Sequence, residues 1–163
     1  MGIGHLQVLT KGISHVTASP VATLGDRVMY NGGEYVYFYN RSSDLTAKVG
    51  DAVQVSSQTG WSCVISHITG QAYPVGVVQH VDVPVGEYGW ALARGFGTIT
   101  AGINTTLDQS DLLILVATSN TGNISRKTLA SATSNEAFRL EAFGCVVVAT
   151  GTAGAGKGLI WCA

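Results

Sequence analysis

The chain has 163 residues, 9 basic and 10 acidic side chains, a formal net charge of -1 and 21 glycines. Its 12% charged content is about half that of an ordinary soluble protein and its glycine share is near twice the usual, which excludes a disordered charged tail. The nine bases are scattered, with one adjacent pair at Arg126 and Lys127, so no nucleic-acid partner is expected.

Mean hydropathy is +0.28, but the longest aliphatic runs, Leu112 to Ala117 and Cys145 to Ala149, fall far short of the ~20 residues a spanning helix requires. No membrane segment is expected. The opening MGIGHLQVLTKG has neither a basic nor an apolar leader region, which predicts synthesis in the cytoplasm.

Residues 1–24 carry one charge, Lys11, and lack a steady period. They read as an extended N-terminal arm preceding a single β-domain at 25–163. Ordering such an arm costs ~1–2 kcal/mol per residue, so Leu6, Val8, Leu9, Ile13 and Val16 are expected to be buried against a partner.

Residues 25–39 predict a β-hairpin. Asn31-Gly32 accepts the positive φ angles of a tight turn, and the flanks Arg27-Val28-Met29-Tyr30 and Glu34 to Tyr39 are β-branched and aromatic. On the second strand Tyr35, Tyr37 and Tyr39 share one face and Val36 and Phe38 the other. Both faces are apolar enough to need covering.

Further strands are predicted at 52–55, 61–68, 75–83, 88–94, 96–100, 112–117, 144–149 and 158–162, separated by Gly, Ser, Asn and Thr clusters. In 88–94 the larger Tyr88, Trp90, Leu92 and Arg94 alternate with Gly89, Ala91 and Ala93; the small face admits close approach of another backbone. In 134–143, Thr133 and Glu136 fit a helix cap, but Phe138 and Leu140 alternate with Arg139 and Glu141, favouring strand. The fold class is therefore all-β, a short-strand sandwich or barrel. Gly50-Asp51 and Ser110-Asp111 each precede an apolar run, with Gly76 and Gly144 runs following. This spacing suggests a duplicated β-unit, 44–95 and 104–163.

Catalytic patterns fail. Gly151 to Gly158 approaches a phosphate-binding loop, but Gly158 stands where Ser or Thr must hold magnesium; a glycine hairpin loop is expected. Asn40-Arg41-Ser42 is a formal sequon read as a turn. His80 and Asp82, two apart on a predicted strand, are the one acid–base pair to test, against a surface hydrogen-bonded pair as the plainer reading. Cys63, Cys145 and Cys162 lack Cys-x-x-Cys spacing and read as buried thiols. No enzyme activity, cofactor or metal is expected.

A folded monomer of this mass exposes roughly 7,700 Å², leaving about one charged side chain per 400 Å². Such sparseness points to an assembly component. Tyr35, Tyr37, Tyr39 and Trp90 are the expected subunit contacts, and a homotrimer is the expected state. The alternative use of those aromatics, with Trp61 and Trp161, is a stacking platform for a cell-surface glycan.

The stretch Tyr73-Pro74-Val75-Gly76-Val77-Val78, followed by Val85-Gly86-Glu87-Tyr88-Gly89-Trp90-Ala91-Leu92-Ala93-Arg94-Gly95, resembles a pattern in the small proteins that decorate or cement tailed-phage heads. Lys48-Val49-Gly50-Asp51-Ala52-Val53-Gln54-Val55 is similar to that family's Gly-Asp-x-Val strand start. The resemblance implies a non-enzymatic, often trimeric virion protein on the outer capsid surface that binds the major capsid protein. The alternative is a virion tail or fibre module that binds glycan.

Overall fold

The computed structural model describes residues 12–42, 45–55, 62–65, 74–101, 106–109, 112–115, 124–127, 144–149 and 154–162. Among them there is no helix, and the fold is all-β. The ten strands are β1 (Arg27–Tyr30), β2 (Gly33–Asn40), β3 (Ala52–Val55), β4 (Ser62–Ile65), β5 (Pro74–Val78), β6 (Tyr88–Thr100), β7 (Leu112–Leu115), β8 (Ile124–Lys127), β9 (Gly144–Val148) and β10 (Ala155–Trp161).

The hairpin forms as its turn chemistry dictates. Asn31 and Gly32 have φ of 46° and 78°, the left-handed pair that matches strand twist, and Val28 faces Tyr35 across the ladder. The Gly-Asp pairs form one recurring turn. Gly25 and Gly50 sit at φ 87° and 93°. The following carboxylates accept backbone N–H groups three residues back, Asp26 from Thr23 at 3.1 Å and Asp51 from Lys48 at 2.9 Å. Each Asp N–H bonds the same residue's carbonyl, so the turn holds itself before the chain extends.

Strand pairing closes on itself. β2 pairs antiparallel with β6, β6 with β5, β5 with β3 and β3 with β4. β4 then returns parallel to β2, Tyr39 facing Ser62. The result is a five-stranded barrel with β1 on the free part of the β2 edge. One set of alternating residues, Val36, Phe38, Val53, Val75, Val78, Ala91 and Ala93, forms a buried cluster without members from β7 to β10. This is the set a closed ring can enclose. The small face of β6 is thus the inner one: a Cβ on Gly89 would stand 2.5 Å from a Val83 methyl. A register shift at Val53/Gln54 leaves Val75 as an extra residue of β5, which lets Val75 and Val78 join the same cluster.

β6 continues past Gly95, which lies against Gly33 and has φ 127°. The two strands predicted at 88–94 and 96–100 are therefore one. Its second half starts an antiparallel sheet ordered β6-β10-β9-β7-β8. Ile99, Ile160, Val146 and Leu113 on the inner face of this sheet join Tyr37, Trp90, Leu92, Val77 and Ala52 of the barrel in a second core. The quartets β4-β3-β5-β6 and β8-β7-β9-β10 occur in the same pairing order.

The described part of the expected arm departs from an extended tail. Thr17 exchanges two backbone hydrogen bonds with Tyr88, at 3.1 and 2.9 Å. Ile13 is buried in the second core, Val21, Ala22 and Leu24 pack against that core, and Val16 packs on the barrel cluster. The absence of a regular period reflects a segment laid across the sheet, bonded at Thr17 and without a strand's alternation. Leu6, Val8, Leu9 and 134–143 lie outside the described residues.

Candidate interaction surface

The aromatic residues expected at a subunit contact are largely taken up within the chain. Tyr37 is fully buried and Tyr35 and Trp90 nearly so; the Tyr37 and Trp90 rings lie 4.9 Å apart at 50°. The Tyr37 hydroxyl accepts the Val21 N–H at 3.2 Å. Tyr39 is half-buried, its ring 4.8 Å from Tyr88. What the strand pattern marked as a face needing cover is covered on this side by the second sheet and residues 13–24.

The groups that suggested chemistry have structural partners. β5 ends at Val78, so His80 and Asp82 sit on a turn and not on one strand face. His80 Nε2 shares a 3.1 Å hydrogen bond with the Tyr35 hydroxyl, and Asp82 accepts the Val49 N–H at 2.9 Å. Burial lowers the His80 pKa; burial, then the neighbouring Tyr30, raises that of Tyr35. Asn40 is buried, donating to the carbonyls of Leu45 and Val83 and accepting the Ser42 N–H, an internal clasp at its sequon. Residues 155–161, expected partly as a glycine loop, are strand β10. Its Gly158 is small because a Cβ there would lie 3.1 Å from Leu113 and 3.2 Å from the Cys145 carbonyl. Burial pushes the Cys162 thiol up to about 12. Cys145 is half-buried, and both thiols are free. No group of three or more metal-ligating side chains occurs among the described residues.

The surface that stands out is the outward face of the second sheet. Register aligns Phe96 with Leu159 and Leu159 with Cys145. That row crosses β6, β10 and β9. In the flanking rows Arg94 faces Trp161, and Thr98 faces Lys157, which faces Val148. Phe96 is 69% exposed, Val148 55% and Trp161 40%. Lys157 donates to the Thr98 hydroxyl at 2.9 Å. Arg94 approaches Glu34 at 3.7 Å, while Glu34 holds Arg27 at 2.9 Å.

No protein-family model matches the chain, and no curated protein matches it. Among solved structures it is similar to the N base of head fiber gp8.5 of bacteriophage phi29, at 16% identity and a TM-score of 0.49. That similarity covers 77% of this chain and 92% of that chain.

Sequence reasoning did not single out Phe96, Leu159 and Arg94 as surface groups, and it named Trp161 only for the alternative stacking platform. A signal was present in the alternation of 94–100 and 155–161, which puts Arg94, Phe96 and Thr98 opposite Trp161, Leu159 and Lys157 once the strands are paired. The pairing itself is not visible in either strand alone.

Proposed function

We propose that this chain is a non-enzymatic structural protein of a phage virion. It sits on the outer capsid surface as a homotrimer and ties neighbouring major capsid subunits together. The observation that carries the reading is the outward sheet face, where Phe96, Trp161 and Val148 stay open to solvent while Tyr35, Tyr37, Phe38 and Trp90 are buried. A lattice partner that covers such a face gains roughly 25 cal/mol for each Å² of apolar surface removed. Copies repeated over the shell add their contributions. The sequence resemblance of 48–55 and 73–95 to head-decoration proteins supports the same reading.

The test is co-sedimentation of purified protein with capsids lacking it, together with light scattering. Binding and a mass of three chains are expected. Protein left in the supernatant overturns the decoration role, and a monomer at micromolar concentration overturns the trimer. The second reading, a glycan-binding tail or fibre module, is favoured by the exposure of Trp161 beside Arg94. It is disfavoured by the burial of Tyr37 and Trp90, which would have built the platform.

A further inference from the structure

We infer that the outward face of β6, β10 and β9 is the capsid-docking surface and that it takes an acidic protein surface with an apolar centre. The inference rests on the decoration reading and adds which face binds and what chemistry it meets. Strands β6 to β10 hold four bases, Arg94, Arg126, Lys127 and Lys157, and no acidic residue. Two of them, Arg94 and Lys157, belong to the outward rows by register. Their local charge is positive although the whole chain carries a formal -1.

Glu34 is shared between Arg27 and Arg94, with the shorter bond to Arg27. Arg94 therefore keeps an exposed guanidinium, its side chain 61% accessible, for a partner's carboxylate. Between the cations lie Phe96, Leu159 and Cys145, an apolar strip to be dehydrated.

The same charges argue against a second copy seated on this face by twofold symmetry. Such a contact repeats each patch on its own kind and would bring the Arg94 and Lys157 of both copies together with no carboxylate from either β6 to β10 sheet. An acidic partner instead satisfies the rim while its apolar centre covers Phe96. Specificity and encounter rate come from the rim, and affinity from the centre.

The test compares wild-type protein with Phe96→Ser, Phe96→Leu and the double variant Arg94→Glu/Lys157→Glu for binding to capsids lacking the protein, at 50 and 300 mM NaCl. All the altered side chains are exposed, and a circular-dichroism melt verifies folding. At 50 mM, Phe96→Ser and the double variant should each weaken binding at least tenfold, with light-scattering mass unchanged. Phe96→Leu should bind within about threefold of wild type. Wild-type binding should weaken with salt, and the double variant should lose most of that dependence. If wild type binds and the variants bind equally well, the face is wrong and the decoration role stands. A change of oligomer mass in Phe96→Ser makes the face a subunit contact and also overturns the inference. If wild type fails to bind capsids, the decoration reading falls and this inference falls with it.

Discussion

Replacing Asp51 with Asn should stabilise the protein at neutral pH and leave it nearly unchanged in acid. Asp51 caps the turn before β3, accepting the Lys48 N–H at 2.9 Å, and it is 7% exposed. Burial raises its pKa from 3.8 to about 6; the Lys48 N–H and the Lys48 charge pull it down, and Asp82 adds to the rise. Because the folded pKa lies above the unfolded one, the folded state holds the proton more tightly. Its contribution to stability is fully present below about pH 3.8 and is lost as pH rises through about 6.

A shift of this size corresponds to about 3 kcal/mol between the two limits. For a domain of this length each kcal/mol moves the melting temperature by about 2–4 °C. Asn retains an oxygen to accept the Lys48 N–H without the charge. Thermal melts of both proteins from pH 3.5 to 8 should therefore coincide at the acid end and diverge by about 6–12 °C at pH 7, Asp51→Asn being the more stable. Parallel curves across the whole range would show that Asp51 is not titrating in a buried site and would refute the reasoning.

Trp90→Ala removes the ring packed on Tyr37 and should cost about 3–5 kcal/mol, read by urea unfolding, whereas Phe96→Ser at an exposed position should cost under about 1 kcal/mol. Gln79 bridges Thr98, its Oε1 accepting the N–H at 2.7 Å and its Nε2 donating to the carbonyl at 2.9 Å. Gln79→Leu should speed amide exchange at Thr98 at least tenfold, and unchanged protection would show that the edge is held by other groups. Cys162, buried with its thiol pushed up to about 12, should resist iodoacetamide at pH 8 in the native protein and react on unfolding; modification at the rate of a free thiol would contradict its burial.

Local chemistry was enough to place several elements. The Asn31-Gly32 turn and its flanks determine the β1–β2 hairpin, because a left-handed dipeptide between β-branched and aromatic runs has one low-energy arrangement. The Gly-Asp turns and the strand at Ala52–Val55 follow in the same way, and the small face of Gly89, Ala91 and Ala93 anticipates the crowding inside the barrel. β8 escaped notice because Ile-Ser-Arg-Lys has no apolar alternation; its place comes from pairing with Leu112 to Leu115.

Tertiary structure alone decided what each face meets. Trp90 and Trp161 both lie in alternating apolar strands, yet one is 4% and the other 40% exposed. The difference arises because the β6 bend at Gly95 lays the second sheet over Trp90 and turns Trp161 to its uncovered side. Residues 13–24 likewise look unplaced until Thr17 finds Tyr88. The parallel return of β4 to β2, which makes a barrel of what could have been an open sheet, joins segments separated by more than twenty residues. Such contacts depend on the packing of the whole chain, which a pattern within one strand does not encode.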